Sequence, residues 1–184
     1  MSANLRSFTT AIYGFEHVLK MSPKKAMRMN SPCPEWKGAD VVAHTLAAMT
    51  AAHRAAMAGP MPKSLPKVAD DPVVQWERLR DRTLTALDQP EVLHSTADTF
   101  FGPLRVDTFI GLMGADILVH TWDLARTGRV DDRLDPALCR STLRLWRSIP
   151  AELLRRPGVF AAPIKPHRDA DAQTKLLNFL GREC

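Results

Sequence analysis

Apolar side chains return every three or four residues along the start of the chain, at Leu5, Phe8, Ile12, Phe15 and Leu19. That spacing lays them on one stripe of an α-helix and does not fit the two-residue period of a strand. Such a helix buries its stripe only by packing against others. The pattern then recurs. From about Lys37 to Met57 the alanine-rich "GADVVAHTLAAMTAAHRAAM" favours helix, and Gly59, Pro60 and Pro62 end it. A third helix starts near Asp71, with Pro72 in its first turn and Trp76, Leu79, Thr83 and Leu87 along one face. A fourth runs from about Val106 to Thr127, with Gly128 as the expected C-cap.

The connecting stretches are rich in proline and glycine. "KMSPKKAMRMNSPCPEW" reads as a loop, and "DQPEVLHSTADTFFGPL" as either a short hairpin or a loop. Beyond residue 128, Asp135 and Pro136 mark the N-cap and first turn of another helix. "RRPGVFAAPIKPHRD" is extended, and a short helix in "ADAQTKLLNFL" closes at Gly181. Strands do not alternate with helices, and there are no internal repeats. The expectation is an all-α single domain over residues 1–184. It has a bundle of four long helices to about residue 128 and a C-terminal extension of one or two short helices over about 129–184.

Several classes of function are disfavoured at this point. No apolar run approaches the roughly 18 residues that span a bilayer, and the N-terminus lacks an export signal's apolar core. The three cysteines (Cys33, Cys139, Cys184) are far apart and form no CxxC, which suits reduced thiols and a cytoplasmic location. Cys33 reads as an inert thiol. The formal net charge of +5 is scattered rather than gathered in one block, so a nucleic-acid partner is not expected. Basic residues thicken around Arg155 and Arg156, which makes these two candidates for holding an acidic substrate.

The chemistry-bearing feature is "GADILVHTWDLARTG", where Asp116 and His120 interrupt a helix that is apolar almost all round. Burying either side chain is costly unless it is partnered. Residues four apart share a helix face, so both can address a common centre, and imidazole and carboxylate are ordinary ligands of zinc-like cations. A zinc site that keeps an open position takes three protein ligands. His44, mid-helix among Val41, Ala47 and Ala48, is the candidate third, brought opposite the pair by antiparallel packing. Taken alone, such a pair is more often a buried hydrogen bond or ion pair, and His44 a satisfied core histidine. Asp123 stands where it would accept from the His120 ring and orient it; a solvated charge near the helix end accounts for it equally. His17 and His53 are explained by solvated helix faces, Trp36 and Trp122 by packing.

The segments "SPCPEWKGADVVAHTLAAM", "DILVHTWDLARTG" and "RPGVFAAPI…DADAQTKLLNFLGR" resemble the actinobacterial metal-binding branch of the DinB/YfiT-like superfamily. This branch is related to the N-terminal domain of mycothiol-dependent maleylpyruvate isomerase. The likeness runs in the same order along nearly the whole chain, and its specific parts are Trp-x7-His and Asp-x3-His-Thr-Trp-Asp-Leu-Ala. It implies a four-helix bundle holding a divalent metal, usually zinc, with nickel or manganese as alternatives. The ligands would be His44, Asp116 and His120. The isomerase's acidic ligand is a glutamate, one methylene longer than Asp116. The resemblance further implies mycothiol or another low-molecular-weight thiol as co-substrate, an electrophilic small-molecule substrate, transferase or isomerase chemistry, and a homodimer. The same donor set would also serve a metal-dependent hydrolase, or a metal or thiol-conjugate binder or sensor without turnover.

Overall fold

The computed structural model describes residues 1–156 and 159–184; Pro157 and Gly158, within the segment read as extended, lie outside the described residues. The described chain is mostly helical, with one small sheet. It divides into two compact units, Met1–Asp132 and Arg133–Cys184.

The first unit holds four long helices: α1 (Ala3–Met21), α2 (Gly38–Ala56), α3 (Pro72–Leu87) and α4 (Val106–Gly128). Helix α1 packs on α4 and α3, and α2 on α4 and α3. Local chemistry sets the helix starts. The Ser2 hydroxyl accepts from the Leu5 N–H, and the Asp71 carboxylate from the N–H groups of Val73 and Val74, with Pro72 in the first turn. At the start of α2 the Asp40 carboxylate accepts from the Lys37 N–H at 2.8 Å.

The stripe read from the sequence becomes the core. Phe8, Ile12, Phe15 and Leu19 of α1 are buried, as are Trp76, Thr83 and Leu87 of α3. The Trp76 ring lies 4.5 Å from that of Phe15, centroid to centroid, and its indole N–H donates to the Ile12 carbonyl at 3.3 Å. Helices α1 and α4 approach closely at Gly114, where a Cβ would come within 2.8 Å of the Phe8 Cα.

Two local features differ from the sequence reading or complete it. Gly128 does not cap α4 but is its last residue; the left-handed turn falls on Arg129, at φ 56°. The reason is tertiary, because a Cβ on residue 128 would stand 2.7 Å from the Ser22 hydroxyl. The segment left open between hairpin and loop is a hairpin. Strands β1 (Thr96–Thr99) and β2 (Gly102–Arg105) pair antiparallel, Thr96 opposite Arg105, with Phe100 and Phe101 exposed at the tip.

The second unit contains α5 (Pro136–Arg147), the single turn α6 (Ala151–Leu154) and α7 (Ala172–Phe179). Asp135 and Asp171 cap α5 and α7 through the N–H groups of Leu138 and Thr174. Helix α5 packs on α7, burying Leu138, Leu143, Leu176 and Leu177. No helix among the described residues is long and apolar enough to cross a membrane.

Candidate metal centre

Helix α4 turns one stripe toward α2, and Asp116, His120 and Asp123 occupy it at i, i+4 and i+7, one above the other. His44 comes from the middle of α2 to meet them. Its Nε2 is 2.9 Å from Asp116 Oδ2, and His120 Nε2 is 3.6 Å from Asp116 Oδ1. The imidazoles of His44 and His120 meet edge to face, centroids 4.6 Å apart. One donor atom from each of His44, Asp116 and His120 falls within 4.8 Å of the others. Three donors converging from two helices, N/O/N in type, fit a borderline divalent cation that retains an open coordination position.

Exposure is graded across the group. The His44 side chain is 33% exposed and Asp116 17%, whereas His120 is 6% and Asp123 0%. The centre thus opens to solvent on the His44 side and is closed beneath. Asp123 forms the floor: its Oδ2 lies 2.9 Å from His120 Nδ1. An ionised carboxylate only accepts, so the proton of a neutral His120 belongs on Nδ1, leaving the Nε2 lone pair directed toward Asp116 and His44. That tautomer is the one that ligates through Nε2. A solvated charge does not describe Asp123 here.

Two residues that the sequence reading assigned to packing or to an inert thiol border this centre. Trp36 stacks on His120, with centroids 5.5 Å apart and planes 21° apart, and tilts against His44 at 5.1 Å. Cys33 donates its thiol proton to Asp123 Oδ2 at 3.2 Å and stands 4.0 Å from His120 Nδ1. Both are delivered by one tight turn. The Trp36 N–H donates to the Cys33 carbonyl at 3.1 Å, Pro34 presets the first corner, and Glu35 takes the left-handed second corner at φ 65°. Cys33 and Trp36 are therefore three residues apart at opposite ends of one β-turn, directly before the helix that carries His44. A proline followed by a turn corner between them was the only sequence signal available.

The remaining singled-out residues lie elsewhere. Arg155 belongs to the second unit, where its guanidinium donates to the carbonyls of Ala161 and Phe179, at 2.5 and 2.6 Å, and lies over the Phe179 ring. Arg156 is exposed in the same unit. Cys139 is buried there, and its burial, reinforced by the charges of Asp135 and Asp171, pushes the thiol up to about 12, which leaves it unreactive. His17 and His94 are exposed.

His53 departs from the solvated-face reading: its Nδ1 is buried without a hydrogen-bond partner. Burial, helped by the charges of Arg82 and Arg54, holds its pKa below the ordinary 6.5. The folded state therefore binds this proton less readily than the unfolded chain. The associated stability is present above about pH 6.5 and is lost as pH falls through that value toward the lower folded one. Between about pH 7 and pH 5 the wild-type melting temperature is expected to fall more steeply than that of His53→Gln. Parallel curves would show that His53 titrates alike in both states.

No family model matches the chain, and no solved structure matches it. Its relatives include two mycobacterial proteins, Uncharacterized protein MT0763 of Mycobacterium tuberculosis strain CDC 1551 / Oshkosh and Uncharacterized protein Rv0738 of strain H37Rv. Each is 30% identical over 154 residues, covering 83% of this chain and 82% of its own length. The matched length takes in most of both proteins, and the chain belongs to the family of these mycobacterial proteins.

Proposed function

We propose that this protein is a divalent-metal protein, with zinc the first choice of cation, in which the metal activates a low-molecular-weight thiol for transfer or isomerisation. The observation that carries the reading is the convergence of His44 Nε2, the Asp116 carboxylate and His120 Nε2 from two facing helices. On this reading α1–α4 form a four-helix bundle of the DinB/YfiT-like kind, consistent with the sequence likeness noted above.

A cation bound there would stabilise a thiolate at neutral pH and so supply a nucleophile. The chain's own residues do the rest. Asp123 fixes the His120 tautomer through Nδ1, and the Trp36 ring holds the two imidazoles in place from one side. The partly exposed His44 edge is the side from which a thiol and an electrophile would approach. Mycothiol is the thiol suggested by the resemblance, and an electrophilic small molecule is the second substrate.

The test starts with metal content, by mass spectrometry, of protein purified without chelator or metal affinity resin. Wild type is expected to carry about one metal per chain and His44→Ala clearly less, while remaining folded because His44 is the most exposed of the three. Wild type that neither carries nor takes up zinc, nickel or manganese would leave Asp116 and the two histidines as a hydrogen-bonded group, and the proposal would fall. With metal in place, turnover of a model electrophile in the presence of thiol separates an enzyme from a binder that only saturates.

A further inference from the structure

His120 has a second face. On its Nδ1 side the Cys33 thiol, the Asp123 carboxylate and the ring nitrogen draw together: Sγ to Oδ2 is 3.2 Å, Nδ1 to Oδ2 2.9 Å and Sγ to Nδ1 4.0 Å. We infer that these three residues form a second cation position, on the opposite edge of the His120 ring from His44 and Asp116, suited to a thiophilic divalent metal.

Geometry and donor chemistry both support this. Sulfur, nitrogen and oxygen ligands bound at about 2.0–2.3 Å to one tetrahedral cation stand roughly 3.3–3.6 Å from each other. The three observed separations bracket that range, so movements of about half an ångström bring all three donors onto one ion. Asp123 is fully buried, while Cys33 is half-buried and leaves a path from solvent. The site is also preformed: the turn from Cys33 to Trp36 is hydrogen-bonded, and Trp36 stacks on the same imidazole. On binding, the Cys33 thiol releases its proton to solvent, the single His120 proton moves from Nδ1 to Nε2 on the Asp116 side, and the metal takes the place of the two hydrogen bonds to Asp123 Oδ2.

The two positions differ in kind. The His44 side offers nitrogen and oxygen donors, whereas the Cys33 side adds a thiolate and so favours softer ions such as cobalt(II) and cadmium over magnesium or manganese. A neutral His120 offers one ring nitrogen at a time, so the two positions are used alternately and neither requires the other to be filled; the inference stands or falls apart from the function proposed above.

Cobalt(II) titration tests it in a Cys184→Ser background, which removes the exposed thiol, with the buried Cys139 left in place. A thiolate-to-cobalt charge-transfer band in the near ultraviolet is expected to grow to saturation. It should persist in His44→Ala and be lost in Cys33→Ser. Cobalt is also expected to protect Cys33 from iodoacetamide, read by mass mapping of the intact fold, in both the parent and His44→Ala. Cobalt binding without a thiolate band, or no cobalt binding, would overturn the second position. So would a band that survives Cys33→Ser or disappears with His44. Loss of His44-dependent binding with the thiolate band retained would instead count against the function proposed above and leave this position intact.

Discussion

His120→Ala is expected to lose its bound metal and to melt roughly 4–16 °C below wild type when both are measured in chelator. The two effects have separate origins. Metal is lost because Nε2 is one of the three converging donors. The stability loss comes from the other side of the ring, where Asp123 is fully buried and its Oδ2 accepts from His120 Nδ1 at 2.9 Å. Removing one hydrogen-bond partner of a buried carboxylate costs about 2–4 kcal/mol, with the Cys33 thiol left as a donor to it. For a chain of this size each kcal/mol lowers the melting temperature by about 2–4 °C. Scanning calorimetry in chelator isolates the structural part. A shift under about 2 °C would mean that water or a neighbour takes over the carboxylate. His44→Ala, at the open end of the same centre, is expected to carry clearly less metal with little change of melting temperature in chelator, which separates the two roles.

Trp76→Ala is expected to be as destabilising and to leave metal binding alone. Trp76 is fully buried between α3 and α1, its ring tilted against that of Phe15 and its indole N–H donating to the Ile12 carbonyl. Truncating a buried tryptophan leaves a large cavity and costs about 3–5 kcal/mol. The nearby groups cannot close that space, because Ile12 and Phe15 are held on the α1 stripe that also packs against α4. The candidate metal ligands, in contrast, stand on α2 and α4. Metal content measured well below the melting point is therefore expected to match wild type. Loss of metal in a still-folded Trp76→Ala would show that α3 holds α2 and α4 in their ligating register. Paired with His120→Ala, two variants of similar instability but opposite metal content distinguish the centre from its scaffold.

Most of what could be read directly was local. The stripe Phe8, Ile12, Phe15 and Leu19 is buried, and Asp71 and Asp135 cap helices through hydrogen bonds reaching only two or three residues along the chain. Asp116 and His120 were visible for the same reason: a four-residue interval fixes two side chains on one face whatever surrounds them. Gly128 was misplaced because its glycine answers to Ser22, on another helix's end, and not to the local turn. His53 looked solvated because a helical interval says which residues share a face but not whether that face finds a hydrogen-bond partner.

By itself, then, the sequence determined where the helices lie, which faces they bury, and that a carboxylate and an imidazole share one of those faces. Only the tertiary structure decided what those groups meet. It brought His44 to Asp116 across 72 residues of chain, and Cys33 to His120 and Asp123 across 87 and 90. Periodicity is set by the geometry of a single helix, whereas the meeting of two elements depends on how closely side chains let them approach and on the turns between them. At this centre those are the α2–α4 packing and the Pro34–Glu35 turn.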